Sequence, residues 1–304
     1  MKSRIFCAVF VLALLATSGC ATGRKSASSE NAATPARPAQ VYGPAAPYGP
    51  QPPLPQPLYG PEPIQQRPVV LVLGPGLARG YAYAGVIRAL SDAKIRIGAV
   101  FGTEMGALIG ALYAMDGSVN HMEWGVQRFR SDVFQPDQSM LSHWLKSDPA
   151  EKFNASLERV FGDRDLSQAQ IPIRILAQPA GEPVKVFDKG AFRMLIRASF
   201  GAVNGFAPID VEGIPTATAG AIRPFDVNDA KALAIGPVIA VDVLDPKESD
   251  LYPELKDADL VIRPEVTGIA KTDFGRRTEL TFAGKAAIND HLDEIRKLVG
   301  GGMP

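Results

Sequence analysis

Cysteine is nearly absent from this chain. Its 304 residues hold two, Cys7 and Cys20, and none follows residue 20. Everything downstream therefore folds without a disulfide or a thiolate metal site, and the redox state of its compartment is immaterial. Histidine is almost as scarce, with His121, His143 and His291 the three. Each falls in a stretch with helical patterning, none sits in a supporting motif, and no pair has metal-ligand spacing. No metal or other cofactor is expected. An excess of one charge is also missing. Lys and Arg total 32, Asp and Glu total 32, and the formal net charge is zero. No basic patch points to nucleic acid. The apolar run from Ile5 to Ala16 is too short to span a bilayer.

What is present divides the chain into three. Residues 1–19 read as an address: Lys2 and Arg4 supply a positive start, Ile5 to Ala16 an apolar stretch, and small residues close it. The ending Leu15-Ala16-Thr17-Ser18-Gly19-Cys20 resembles a bacterial lipobox, in which cleavage precedes the cysteine and that cysteine is lipidated. Ordinary secretory cleavage beside an unrelated cysteine is the alternative. Lipidated Cys20 would hold the protein to a membrane, because several buried acyl chains give stable attachment. Ala21 is not Asp, which favours the outer membrane, with the domain facing the periplasm of a bacterial envelope. Residues 20–67 are small, polar and proline-rich, with twelve of the 26 prolines between Pro35 and Pro68 and Tyr-Gly-Pro starting at Tyr42, Tyr48 and Tyr59. This composition cannot bury enough surface to offset chain entropy, so an extended, disordered tether is expected. The three triplets also admit a docking strip for an aromatic-lined groove.

Residues 68–304 read as one domain. Pro68 to Leu73, Arg96 to Phe101, 171–176, 183–187, 237–243 and 260–262 have the apolar runs of buried strands. Helical spacing occupies 81–93, 105–115, about 119–130, 150–161, 190–199, 226–234 and a long closing stretch near 276–299. Alternation of this kind predicts a three-layer α/β fold with a mostly parallel central sheet.

Two motifs carry the chemistry. Gly74-Pro75-Gly76-Leu77-Ala78-Arg79-Gly80 forms a glycine-rich turn after the first strand. Gly102-Thr103-Glu104-Met105-Gly106 follows the second, with the spacing of a nucleophile elbow, a sharp strand-to-helix turn that lifts one side chain clear of the sheet. Leu71 to Tyr113 resembles the opening of a patatin-like phospholipase domain of the small bacterial type. The likeness continues through Val186-Phe187, Arg197-Ala198-Ser199, Pro224-Phe225-Asp226-Val227 and the 239–243 strand. The resemblance implies a patatin-like fold and a lipid acyl hydrolase ancestry. It also implies a serine at the elbow, an aspartate from an Asp-Gly-Gly/Ala segment, and oxyanion amides in the glycine-rich turn.

All three parts are altered here. Glu104 stands at the serine position, Thr218 at the aspartate position, and Pro75 and Leu77 replace two glycines of the turn. A carboxylate attacks esters poorly, because the product anhydride reverses easily, and proline has no N–H to donate. The reading is a catalytically inactive homologue that binds an acyl lipid or an envelope protein partner as a scaffold. The alternative is a lipid acyl hydrolase with displaced chemistry through Glu104, with Asp210, Glu212 or Asp226 standing in for the lost aspartate. In the first reading Glu104 mimics the missing oxyanion. It would accept from amides of Gly76 to Ala78 or of the 105–115 helix, pair with Arg79, and titrate below the usual carboxylate range.

The anchor is directly testable. Expressed in full in a bacterial host, the chain should start at Cys20 and partition with membranes, and Cys20→Ser should release it to the soluble fraction. Equal solubility and processing of the two forms would remove the lipoprotein reading.

Overall fold

The strand Val69–Leu73 (β1) lies at the centre of the sheet, where Val-Val-Leu-Val-Leu is buried along its whole length. It pairs in parallel with Ile97–Gly102 (β2) on one side and Val238–Val241 (β7) on the other. A strand flanked on both sides and covered on both faces must be apolar at every position, which accounts for the unbroken run. A computed structural model describes residues 66–134 and 150–300. The address segment with Cys20, nearly all of the proline-rich stretch and His143 lie outside the described residues. Among the described residues no helix is long and apolar enough to cross a membrane.

The remaining strands are Ile173–Pro179 (β3), Lys185–Phe187 (β4), Ile209–Val211 (β5), Ile214–Thr218 (β6) and Leu260–Ile262 (β8). The order is β5-β6-β3-β2-β1-β7-β8, with β4 also on β3. The pairs β1–β2, β1–β7, β2–β3 and β7–β8 are parallel, and β3–β4, β3–β6 and β5–β6 are antiparallel. Along β1 the side chains alternate between two cores. Val69, Leu71 and Leu73 join the larger and Val70 and Val72 the smaller. One buried cluster on each face of a single sheet is the three-layer α/β arrangement expected from the alternation.

The larger core is closed by helices Ala82–Asp92 (α1), Met105–Ala114 (α2), Val119–Val126 (α3), Ser131–Phe134 (α4), Glu151–Phe161 (α5) and Phe192–Ser199 (α6). Helix α2 is buried at all ten positions, which its glycine, alanine and leucine content permits. The smaller core takes Val227–Ala232 (α7), and the short Pro246–Ser249 (α8) follows β7. The expected long closing helix is two, Arg277–Asp290 (α9) and Leu292–Gly300 (α10), broken at His291, which leaves helical geometry (φ −107°, ψ 9°). The β5–β6 hairpin was not legible as strands. Pro208 and Pro215 interrupt the run, yet Glu212 (φ 55°) and Gly213 (φ 86°) form a two-residue turn with both φ positive, and Asp210 Oδ1 accepts from the Gly213 N–H at 2.7 Å.

Helices α1 and α9 touch backbone to backbone. A Cβ added at Gly85 would lie 1.9 Å from the Thr281 carbonyl oxygen, and one at Gly284 would lie 1.9 Å from that of Ala82. Gly85→Ala or Gly284→Ala must therefore push the helices apart. Each should lower stability by about 1–3 kcal/mol, although the same change at an open helical site raises it by roughly 1 kcal/mol. The urea denaturation midpoint reads the sign directly, and a rise in midpoint would contradict this packing.

Candidate functional site

Strand β2 ends at Gly102 and α2 begins at Met105, leaving two residues to reverse direction. The reversal is tight. A Cβ at Gly102 would come within 2.5 Å of the Ala107 Cα, and one at Gly106 within 2.2 Å of the Leu73 carbonyl oxygen. Thr103 is fully buried, its amide donating to the Leu73 carbonyl at 3.1 Å and its hydroxyl to the Pro224 carbonyl at 3.0 Å. Glu104 then takes φ 52° and ψ −118°, a conformation that non-glycine residues hold only when their surroundings impose it. The elbow is thus formed, and its tip is a carboxyl group.

Glu104 is 6% exposed and lies on the wall of a cavity of about 300 Å³. The cavity opens beyond the carboxyl ends of β1, β2 and β7, the usual position of ligand sites in such sheets. Glu104 Oε1 accepts from the Thr218 hydroxyl at 3.1 Å, and Oε2 accepts from the Gly76 N–H at a long 3.5 Å. Thr218, at the end of β6, itself accepts from the Gly220 N–H at 2.9 Å. Gly220 also leaves room for the carboxyl, because a Cβ there would sit 2.5 Å from Oε1. The structure therefore brings together Glu104, Thr218 and the glycine-rich turn.

The rest of that turn is committed elsewhere. Pro75 offers only a carbonyl, which accepts from the Tyr83 hydroxyl at 3.1 Å. The Ala78 amide donates to the Lys271 carbonyl at 2.9 Å and the Arg79 amide to the Gly76 carbonyl at 3.0 Å. Leu77 has a positive φ of 47° and lines the cavity. Gly74 packs on the Phe225 ring, and Gly80 on Met105.

Two expectations for Glu104 are corrected. Arg79 is not its charge partner. The guanidinium donates through Nε to the Ile269 carbonyl at 2.7 Å and pairs with Asp245 at 2.9 Å. The amides of α2 do not donate to it either, since Glu104 makes no side-chain cap there. The cation whose field reaches Glu104 is Lys271, whose Nζ is 2.6 Å from Glu248 Oε1. Lys271, Glu248 and Tyr252 line the cavity from the segments after β7 and β8, Glu248 from helix α8, and no sequence motif marked them.

The proposed stand-ins for a catalytic aspartate do not line this cavity. Asp210 caps its hairpin and Glu212 pairs with Lys185 at 3.3 Å. Asp226 is buried against Arg223 in a separate cavity with Gln178 and Pro183, where burial lifts its carboxyl to about 6. His121 pairs with Asp116 at the surface, and His291 Nδ1 lies 2.9 Å from the Ala287 carbonyl oxygen at the helix break. Among the described residues no group of His, Cys, Asp and Glu is arranged to hold a metal.

A model of the patatin-like phospholipase family matches residues 71–230, more than half of the chain. Mouse patatin-like phospholipase domain-containing protein 6 is 29% identical over 192 residues, which is 60% of this chain and 14% of that protein. Lysophospholipase nte1 of Aspergillus oryzae is 31% identical over 181 residues, 58% of this chain and 12% of that protein. The chain thus spans a small part of the length of these relatives. Among solved structures, VipD from Legionella pneumophila superposes with a TM-score of 0.45 at 10% identity, covering 76% of this chain and 67% of that one.

The expected depression of the Glu104 pKa is also reversed. Burial pushes the carboxyl up to about 7, and the bonds from Thr218 and Gly76 and the field of Lys271 offset only part of that rise. A carboxyl whose folded pKa lies above its unfolded value contributes stability that is complete below about 4.5 and is lost as pH rises through 7. Glu104→Gln lacks this titration. The variant should gain on the native chain by about 3 kcal/mol between pH 4.5 and pH 8. Urea denaturation at the two pH values checks it, and a difference that does not grow with pH would refute the buried, uncompensated carboxyl.

Proposed function

The chain belongs to the patatin-like phospholipase family, and we propose that it serves as a membrane-anchored, non-catalytic binding lipoprotein of the bacterial cell envelope. Its cleft receives an acyl lipid, and the serine chemistry of the family is absent. The observation that carries the reading is the Glu104 carboxyl at the tip of the elbow, with the Gly76 amide and the Thr218 hydroxyl turned towards it. Acyl transfer needs an activatable hydroxyl at that tip, a base beside it and donors aimed at a developing oxyanion. Here the tip is the carboxyl, and the neighbour in base position is a hydroxyl. One amide of the turn faces Glu104, another faces Lys271, and Pro75 supplies none. Loss of a single oxyanion donor lowers rates by about 10²–10³. An ionised Glu104 would in addition repel the charge that develops. The anchor rests on the Lys2, Arg4 and Cys20 pattern.

One observation favours a second reading, an acyl hydrolase in which Glu104 acts as general base on water. Its carboxyl is lifted to about 7, the range in which a base accepts a proton efficiently near neutrality. The two readings separate in one assay. Full-length protein should hydrolyse p-nitrophenyl butyrate and phospholipid no faster than Glu104→Ala, and a fluorophosphonate should label neither. Glu104→Ser should not restore turnover, because Thr218 supplies no carboxylate and Pro75 no amide. Clear Glu104-dependent hydrolysis would overturn the binding role in favour of the base.

A further inference from the structure

Resting on the reading that the cleft takes a lipid-like molecule, we infer that its ligand carries an ammonium head on an apolar chain and enters head-first against Glu104. The charge inventory of the cavity leads there. Lys271 and Glu248 satisfy each other at 2.6 Å. Arg79 is held by Asp245 and the Ile269 carbonyl. Glu104 is the carboxyl left over, and among the described residues its hydrogen-bond donors are neutral, the Thr218 hydroxyl at 3.1 Å and the Gly76 amide at 3.5 Å. A carboxylate accepts at about four lone-pair positions, so two donors leave capacity for a third. An anion buried without a cation is strongly disfavoured, and an ammonium brought to it relieves that penalty.

The walls suit the rest of such a molecule. Pro75, Leu77, Val203, Leu244 and the Tyr252 ring line the same cavity. A ligand carboxylate would meet an ionised Glu104 as a like charge, and a neutral alcohol or ester would leave that charge uncompensated. Two carboxylates are too few for a hard divalent ion, which takes six or more oxygen ligands.

The inference implies a direction with pH. The titratable and charged groups around Glu104 are Lys271 from the segment before α9, Glu248 of α8, Tyr252 beyond it and Tyr83 of α1. Both tyrosines are held above the usual phenol range by burial, so they stay neutral. Lys271 Nζ lies 2.6 Å from Glu248 Oε1. Burial lifts the Glu104 carboxyl to about 7, and a cation binds its ionised form.

The experiment uses full-length protein in detergent and three soluble probes of equal chain length: n-hexylammonium, hexanoate and 1-hexanol. Affinities are measured by calorimetry at pH 5.5 and pH 8.5, where the amine stays charged. Hexylammonium should bind tightest of the three and should gain about tenfold or more at the higher pH. Glu104→Gln, checked for folding by its melting curve, should weaken it by about tenfold at pH 8.5 and abolish the pH dependence. Hexanoate or hexanol binding as tightly as hexylammonium would overturn the ammonium head while leaving a lipid-binding cleft in place. Hexylammonium binding that ignores both pH and Glu104→Gln would overturn it as well. If no probe binds, the ammonium head and the lipid-binding cleft fall together.

Discussion

The turn between β2 and α2 is the constraint from which the site follows. Gly102 and Gly106 are pressed against Ala107 and Leu73, so the chain reverses within two residues and residue 104 is forced to a positive φ. Strain of this kind costs on the order of 1–3 kcal/mol and persists only because the packing around it is over-determined. With the backbone fixed, the side chain at 104 is directed into the cleft, where it is 6% exposed. A serine there would bury one hydroxyl. A glutamate buries a carboxyl, and the electrostatics of the cleft follow from that group.

Physical compensation for the carboxyl is partial, and the partial character is informative. Thr218 and Gly76 each turn a donor to it, and Gly220 leaves the volume it needs. No guanidinium or ammonium closes on it at ion-pair distance among the described residues. Arg79 belongs to the glycine-rich turn, but its fork is spent on Asp245 and Ile269, fastening the 3₁₀ turn Leu77–Tyr81 to the loops after β7 and β8. Lys271 is spent on Glu248. Desolvation therefore exceeds the sum of two neutral hydrogen bonds, and the carboxyl holds its proton to about 7.

Much of this was legible in the sequence, for reasons specific to each element. The β1 and β2 runs are apolar because they sit at the centre of the sheet, and α2 is apolar at every position because it is buried whole in the larger core, so both read clearly from sequence. The resemblance placed Thr218 at the aspartate position, 114 residues beyond Glu104, but the hydrogen bond from its hydroxyl to Glu104 was not foreseen. The β5–β6 hairpin did not show, because two prolines mask its alternation and its turn depends on Glu212 adopting a positive φ. Lys271, Glu248 and Tyr252 did not show either. They arrive from segments after β7 and β8 whose meeting is a property of the sheet order and not of any local pattern. The fate of Arg79 was illegible for the same reason, since both of its partners lie more than 150 residues away.

The elbow also separates two things that a motif reading tends to join. Its glycines are required by contacts with Ala107 and Leu73, and its threonine is fixed by Leu73 and Pro224. None of these contacts involves the side chain at 104. The frame is therefore stable with any residue there that tolerates the backbone and finds partners in the cleft. A well-formed elbow is evidence for the fold and for a cleft above it, whereas the chemistry depends on which group the elbow lifts and which neighbours face it. In this chain the lifted group is a carboxyl, faced by a hydroxyl and one amide. Those neighbours leave the carboxyl holding its proton to about 7.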